Sequence, residues 1–169
     1  MPDLAAIYEA EVAFVWGSLR RLGVRAADLE DVTHDVFMAV QRRLADYDPA
    51  RPIRPWLFGF AYRVASDYRR SARVQREVVD EPPDRPDEGP SAEERLDTRE
   101  AYGVTLRALA CLGLEGRAVL VLHDLEGCPV PVIAEAIGEP VNTIYSRLRL
   151  ARERFAAAVR RIEAEATHG

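Results

Sequence analysis

The sequence predicts an all-α fold of two small helical domains joined by an acidic linker. Three observations lead to this prediction: apolar residues recur at helical spacing on both sides of residues 77–97, that segment combines prolines with a strong acidic bias, and residues 128–155 have the pattern of a helix-turn-helix. With 169 residues, 48% of them hydrophobic, one medium or two small domains would bury a core.

Two amphipathic helices are predicted before residue 46. The first spans 4–22 and is ended by Gly23; its apolar positions are Leu4, Ile7, Tyr8, Phe14, Val15, Leu19 and Leu22. The second begins after Asp28, which resembles a capping pair with Asp31, and runs to about Ala45. The first half of its polar face is acidic, which indicates either a binding surface or simple solvation with carboxylates placed favourably at a helix N-terminus.

A proline-rich loop and a basic helix follow. Three prolines between residues 47 and 55 exclude regular helix, and a third helix is predicted to start near Pro55. Residues 51–76 contain seven arginines and one acid, Asp67. Arginines beside an aromatic side chain are typical of single-stranded DNA binding, because bases stack on the ring and phosphates follow the cations. Tyr47 is the better stacking candidate, and Trp56 and Phe60 are expected in the core.

The acidic segment accounts for the net charge of the chain. Residues 77–97 hold nine acids and two arginines, a net charge of −7, whereas the remaining 19 acids and 21 arginines give +2. All 23 basic residues are arginine. Four prolines in residues 77–92 predict a flexible linker between domains at 1–76 and 98–166. Its acids would chiefly solvate it, with weak competition against DNA for basic surfaces as the alternative.

The second domain is predicted to hold four helices. Helical pattern resumes near Ala92, breaks near Gly113 and continues to Leu125, and the helix-turn-helix then turns at Gly138 with Pro140 at the start of its second helix. In that helix Ile144, Leu148 and Phe155 face inward, while the opposite side carries Asn142, Tyr145, Ser146, Arg149 and Arg152. These residue types contact phosphates and base edges, although an ordinary helical hairpin with a solvated basic face fits the same pattern.

Composition gives no support for catalysis. His34, His123 and His168 are scattered, no metal-ligand spacing or cofactor motif occurs, and Cys111 and Cys128 are expected to be buried, inert thiols. No stretch approaches the ~20 apolar residues of a membrane span, and the N-terminus lacks a secretory pattern. We expect a cytoplasmic, non-enzymatic protein.

Three motifs together resemble the extracytoplasmic-function (ECF) sigma factors, the small two-domain group of the sigma-70 family. DLEDVTHDVFMAV at 28–40 is similar to the family's acidic polymerase-binding helix. PWLFGFAYRVASDYRR at 55–70 is similar to its W-L-x-x-I-A-x-N-x-x-x-D-x-x-R pattern. GRAVLVLHDLEG followed by IAEAIGEPVNTIYSRLRLARERF is similar to its C-terminal DNA-reading block. The resemblance implies a promoter-specificity subunit of bacterial RNA polymerase.

The resemblance also implies roles for individual residues. The acidic helix would bind the clamp helices of the largest polymerase subunit through Asp31, His34, Asp35, Phe37 and Gln41. The loop and basic helix would melt the minus-10 element and hold a flipped base through Tyr47, Asp48, Arg51, Arg54 and Arg63. The second helix of the helix-turn-helix would read the minus-35 element through Tyr145, Ser146 and Arg149. Four further residues would lie nearer the DNA backbone: Asn142, Thr143, Arg147 and Arg152. Core polymerase, promoter DNA and an anti-sigma factor are the implied partners, with no cofactor.

The sequence departs from the family pattern at several positions. Arg63 replaces the usual Asn, which implies an altered minus-10 base preference, and Tyr145 replaces a frequent basic residue, which implies a slightly weaker salt dependence. Further departures are His34 for Gln, Leu112-Gly113 for Leu-Pro, Pro131-Val132 for an acidic pair, and Asn142-Thr143-Ile144 for Gly-Thr-Val. Two alternatives stay open: a stand-alone helix-turn-helix regulator, and a sigma mimic that binds partners without initiating transcription.

Overall fold

The computed structural model describes residues 3–78 and 93–169, and the side chains of residues 3–72 and 98–169. The described residues form seven α-helices and no β-strand, which confirms the predicted all-α fold. Most of the predicted linker, 77–97, lies outside the described residues, although described helices include its first two and last five positions.

The first domain is a three-helix unit: α1 (Leu4–Arg21), α2 (Leu29–Arg43) and α3 (Ile53–Val78). The carboxylate of Asp3 caps α1 by accepting a 3.1 Å hydrogen bond from the Ala5 amide. Gly23 follows α1 with φ +95°, a conformation in which glycine avoids the strain of a Cβ atom, so it ends the helix as predicted. The three helices meet over fully buried side chains, among them Val15, Leu19, Val36, Val40, Leu57 and Phe58.

Asp28 does not cap α2, which corrects the predicted capping pair. Its carboxylate makes no hydrogen bond to the first turn of α2. It accepts a 2.6 Å hydrogen bond from the hydroxyl of Tyr68, 40 residues further along in α3. Burial, together with this hydrogen bond, raises the pKa of Tyr68 to about 12, so the phenol stays protonated and donating at neutral pH. The pair therefore fixes the start of α2 against α3.

The second domain contains α4 (Glu93–Ala110), α5 (Leu114–Leu120), α6 (Val130–Ile137) and α7 (Val141–Thr167). A π-helical turn, Val121–Leu125, extends α5. Gly138, with φ +80°, separates α6 from α7, which confirms the predicted helix-turn-helix. The inward side chains of the helix-turn-helix, Ile133, Ile144 and Leu148, are buried, and α7 packs on α5. The far half of α7 packs on α4 through the cluster Ala108, Ala158 and Ile162.

The two domains pack directly on each other through α3 and α6. Buried residues of α3, including Leu57, Phe58 and Ala61, belong to the same continuous apolar cluster as Ile133 and Ala134 of α6. The interface is therefore part of the protein core rather than a loose contact between polar surfaces.

Both cysteines are free thiols, and one of them is exposed although both were predicted to be buried. Cys128 is half-buried, and burial raises the pKa of its thiol. Cys111 is exposed after the end of α4, so the predicted burial is wrong for this residue. Its sulfur accepts a 3.1 Å hydrogen bond from Nη2 of Arg161, because the turn that ends α4 brings the side chain to the surface beside α7.

Candidate nucleic-acid interface

The proline-rich loop and the first turns of α3, together with the facing side of α6, enclose a cavity of about 520 Å³, which we call the aromatic pocket. In the first domain it is lined by Asp46, Tyr47, Asp48, Arg51, Pro52, Pro55, Trp56 and Arg63. The Tyr47 and Trp56 rings lie 4.9 Å apart between centroids, and Trp56 meets Phe60 edge-on at 4.9 Å. The structure thus brings together four of the five residues predicted for the minus-10 element.

Hydrogen bonds within the chain shape the loop. The Asp48 carboxylate accepts a 2.9 Å bond from the Ala50 amide, and the Asp48 carbonyl accepts a 3.0 Å bond from the Arg51 amide. The Tyr47 hydroxyl donates a 2.8 Å bond to the Arg51 carbonyl. Desolvation raises the pKa of Tyr47, so this donor remains protonated at neutral pH. The Tyr47 ring is consequently held beside the pocket.

Trp56 and Phe60 have different surroundings despite their similar position in the sequence pattern. Phe60 is only 7% exposed, as predicted for a core residue. Trp56 is partly exposed and forms a wall of the aromatic pocket, so it contacts both the core and the cavity. Arg63 places its guanidinium 4.9 Å from the Phe60 ring centroid, a cation–π contact that holds the cation at the pocket edge. Desolvation and the nearby Arg43 lower the pKa of Arg63.

Arg54, the fifth residue predicted for the minus-10 element, lies outside the pocket. Its Nε atom donates a 2.9 Å hydrogen bond to the Glu11 carboxylate of α1. Its guanidinium also lies 5.0 Å from the centroid of the Phe14 ring. These contacts direct Arg54 toward α1 and give it a role in holding α3 against that helix.

The exposed face of the first half of α7 carries the side chains suited to reading duplex DNA. Tyr145 is 56% exposed, and Asn142, Ser146 and Arg149 are exposed beside it. The Ser146 hydroxyl donates a 3.1 Å bond to the Asn142 carbonyl, and Arg149 pairs only loosely with Glu153 at 3.3 Å on the same face. An exposed i,i+4 ion pair is weak, so Arg149 is available to a stronger anionic or guanine partner.

The other three predicted minus-35 residues are partly buried or already have a partner within the chain. Thr143 is partly buried, and the Arg147 side chain is 23% exposed and donates a 3.2 Å bond to Glu139 at the turn before α7. Arg152 forms two hydrogen bonds to Asp124, and its Nη2 atom lies 3.0 Å from Nδ1 of His123. Arg147 and Arg152 therefore have intramolecular partners in this structure that the helical pattern alone did not indicate.

The outer face of α2 shows the predicted acidic character. Asp31, His34, Asp35 and Gln41 are exposed along it, but Phe37 is only 5% exposed. The Tyr8 ring of α1 covers Phe37 edge-on, with 4.7 Å between centroids, and is itself 46% exposed. Tyr8 therefore presents the aromatic surface on this face. The sequence pattern placed Tyr8 in the apolar stripe of α1 and did not identify it as a binding residue. An aromatic residue at the edge of such a stripe has the same pattern whether it packs in the core or binds a partner.

The described residues contain no group of three or more His, Cys, Asp or Glu side chains that could hold a metal ion. None of the helices within the described ranges is long and apolar enough to cross a bilayer.

Comparison with known proteins identifies the family of the chain. Residues 7–74 match the family model of sigma-70 region 2, and residues 103–155 match the model of sigma-70 region 4. The chain is 35% identical over 155 residues to the ECF RNA polymerase sigma factor SigL of Mycobacterium tuberculosis, covering 88% of this chain and 84% of SigL. It is 28% identical over 142 residues to the RNA polymerase sigma factor NccH of Alcaligenes xylosoxydans xylosoxydans, covering 82% of this chain and 76% of NccH.

Two solved structures have the same fold. CnrH in complex with the cytosolic domain of CnrY aligns with a TM-score of 0.62 at 25% identity, over 91% of this chain and 85% of CnrH. The sigma factor RpoE of Bartonella quintana, in complex with the anti-sigma factor NepR, aligns with a TM-score of 0.66 at 19% identity, over 90% of this chain and 96% of RpoE. The fold and the two family matches define a two-domain, all-α protein of transcription initiation. The chain belongs to the ECF sigma factors of the sigma-70 family.

Proposed function

We propose that this ECF sigma factor directs core RNA polymerase to promoters by contacting the polymerase and two promoter elements through three surfaces. The outer face of α2 binds the polymerase, the exposed face of α7 reads the minus-35 element as duplex, and the aromatic pocket holds an unpaired base of the minus-10 element. The factor performs no catalysis itself and acts in the cytoplasm, where bacterial RNA polymerase works. The domain assignment is 1–76 for polymerase and minus-10 binding and 98–166 for minus-35 binding.

The aromatic pocket is the observation that carries the proposal. Extruding a base from a duplex costs a few kcal/mol, so a protein that melts DNA must offer a preformed site for that base. A volume of about 520 Å³ lies within the usual range of small-ligand sites. Tyr47 and Trp56 supply stacking surface, and Arg51 and Arg63 supply hydrogen-bond donors for a base edge or a phosphate.

The separate reading surface on α7 supports a two-element promoter. Asn142, Tyr145, Ser146 and Arg149 lie on an exposed face of the second helix of a helix-turn-helix, the helix that enters the major groove in such motifs. A protein with one surface for single-stranded DNA and another for duplex engages both by tethering, because the second contact becomes intramolecular once the first has formed.

An anti-sigma factor is the further partner we propose. The solved structure of CnrH contains the cytosolic domain of CnrY, and that of RpoE contains the anti-sigma factor NepR. Both aligned proteins thus have the two-domain fold of this chain while bound to a second protein. We expect a partner of the same kind to bind this chain and to compete with the polymerase.

The test is transcription in vitro from a pool of randomised promoters by bacterial core polymerase with and without this protein. Transcripts enriched in two elements at a fixed separation are the expected result. A stand-alone regulator would instead give a sequence-specific footprint on duplex DNA without polymerase and no dependence of transcription on the protein. A mimic would bind core polymerase tightly and give no transcripts from any template.

A further inference from the structure

A second cavity, of about 680 Å³, lies between the loop after α1, the second half of α3 and the start of α5, and we call it the arginine cavity. Four arginines line it: Arg25, Arg69 and Arg70 of the first domain and Arg117 of the second. None of the described residues that line it is an aspartate or a glutamate. The surfaces assigned above to promoter DNA and polymerase include none of these arginines.

Arg117 is the most deeply buried of the four, with 7% of its surface exposed. Its Nε atom donates a 3.1 Å hydrogen bond to the Leu112 carbonyl, and no carboxylate of residues 3–72 or 98–169 pairs with it. Desolvation, followed by the positive charge of Arg69, lowers the pKa of Arg117 to about 10, so the guanidinium is still charged at neutral pH. A buried charge without a counter-ion is costly, which makes the site favourable for an anion.

The backbone of Gly23 leaves the space that the Arg117 guanidinium occupies. A Cβ atom on Gly23 would lie 2.4 Å from Nη1 of Arg117 and 3.3 Å from its Cζ. Together with the hydrogen bond to the Leu112 carbonyl, this close approach holds the guanidinium at the cavity wall. The protein itself therefore positions the buried cation.

Two of the other arginines have only weak pairings with the carboxylates nearest to them. Arg70 donates a 2.5 Å hydrogen bond to Asp67, but the two side chains are 75% and 74% exposed, and such a pair contributes little. Nε of Arg25 lies 4.0 Å from the carboxylate of Asp28, which already accepts a hydrogen bond from Tyr68. These pairings leave the cavity wall with an excess of positive charge among the described groups.

We propose that the arginine cavity binds a small molecule that carries a diphosphate or triphosphate group. The planar fork of a guanidinium matches the spacing of two phosphate oxygens, and linked phosphates offer such pairs to several arginines at once. The cavity volume lies within the usual range of small-ligand sites. A DNA duplex is the less suitable occupant, because its outer row of phosphates reaches exposed side chains more readily than it reaches Arg117. The proposal goes beyond promoter recognition and adds a ligand contacted by both domains.

Isothermal titration calorimetry of the full chain with inorganic pyrophosphate, tripolyphosphate and ADP is the direct test. We expect saturable binding at one site, and a melting temperature that rises with ligand concentration because the ligand binds only the folded state. Sodium sulfate at matched ionic strength controls for screening and should give no saturable heat. Tighter binding of ADP than of pyrophosphate would assign a nucleotide, and equal binding would assign the phosphates alone. Absence of saturable binding by all three would overturn the site.

Substitutions separate a built site from general attraction to a basic protein. Arg117→Met removes the buried charge and keeps an unbranched side chain, so pyrophosphate affinity should fall about tenfold or more. Arg70→Gln should lower it by a smaller factor, roughly threefold, because the exposed charge is screened by solvent. Arg160→Gln, on the exposed side of α7, is the charge-matched control and should bind as the unmodified protein does. Equal losses in Arg70→Gln and Arg160→Gln would overturn the site.

Circular dichroism establishes that each variant is folded, and the comparison of Arg70→Gln with Arg160→Gln decides the matter should Arg117→Met not fold. A competition experiment addresses the alternative occupant. A short DNA duplex that displaced pyrophosphate at a lower concentration than ADP does would overturn the small-molecule proposal and assign these arginines to the DNA backbone. A duplex that left pyrophosphate bound would support the proposal, whatever the outcome of the transcription experiment.

Discussion

Arg152 of α7 donates hydrogen bonds of 2.9 and 2.6 Å to the two carboxylate oxygens of Asp124, which lies in the π-helical turn after α5. A guanidinium and a carboxylate that meet through two parallel bonds fix each other's orientation as well as their separation. The pair therefore ties α7 to the π-helical turn beside the face that carries Tyr145 and Arg149, in addition to the buried side chains Ile144 and Leu148. Arg152 acts in this structure as a positioning residue for the reading surface.

The pair predicts a specific acid dependence of stability. The hydrogen bond from Arg152 lowers the pKa of Asp124 from 3.8 to about 2. Since the folded pKa lies below the unfolded one, the stabilisation is fully present above about pH 4 and is lost as the pH falls toward about 2. We expect Asp124→Asn to lower the melting temperature most at neutral pH. The difference in melting temperature from the unmodified protein should vanish as the pH approaches about 2.

Thermal unfolding by circular dichroism over this pH range measures the effect. Asp67→Asn is the control, because Asp67 forms an exposed i,i+3 pair with Arg70 in the first domain and should change the melting temperature little. A difference between Asp124→Asn and the unmodified protein that stayed constant down to about pH 2 would mean that the carboxylate is not stabilised by its partner.

Arg149→Ala should remove recognition of the minus-35 element and spare polymerase binding. A bidentate arginine contact to guanine contributes about 1–3 kcal/mol of discrimination, so transcription from a two-element promoter should fall about fivefold or more. Arg160→Ala, an exposed arginine further along α7, is the control and should leave transcription unchanged. Equal losses for both variants would indicate that α7 contributes general positive charge rather than base readout.

The architecture followed from the sequence because each signal was local. Gly23 and Gly138 end helices by adopting positive φ, and the helical spacing of Ile133, Ile144 and Leu148 defined the buried side of the helix-turn-helix. Such signals depend on neighbours within a few residues, and the structure confirms them.

Long-range pairing was not predictable in the same way. The partners of Arg51, Arg54 and Arg152 are Glu135, Glu11 and Asp124, which are 84, 43 and 28 residues away. An arginine on a polar helix face gives the same sequence pattern whether it contacts DNA or a distant carboxylate. The predicted capping role of Asp28 was wrong for a related reason. Its carboxylate accepts a hydrogen bond from Tyr68 in α3 instead of from an amide in the first turn of α2. The residue types of the candidate site could therefore be predicted from the sequence. The carboxylates that pair with its arginines could be identified only from the folded structure.

Tyr47 is expected to contribute to DNA melting through its ring rather than its hydroxyl. Base–aromatic stacking contributes about 1–3 kcal/mol per base, so Tyr47→Ala should reduce open-complex formation by roughly fivefold or more, measured by permanganate reactivity of the minus-10 element. Tyr47→Phe loses only the 2.8 Å bond to the Arg51 carbonyl and should retain most of the activity. If the phenylalanine variant were as impaired as the alanine variant, the role of Tyr47 would be to shape the loop.

We expect Tyr8 to contribute to binding of core polymerase, although the family resemblance assigned this role to Phe37. Phe37 is buried beneath the Tyr8 ring, so a partner on this face touches Tyr8 and the exposed side chains of α2. Large aromatic side chains supply much of the binding energy at protein interfaces. We expect Tyr8→Ala to weaken polymerase binding in a fluorescence competition assay and Tyr8→Phe to preserve it.

Tyr102→Ala is the control, because Tyr102 is similarly exposed, at 40%, but lies on α4 of the other domain. Weakening by Tyr102→Ala to the same extent would show that exposed aromatics act nonspecifically, and unchanged binding by Tyr8→Ala would place the contact elsewhere on α2.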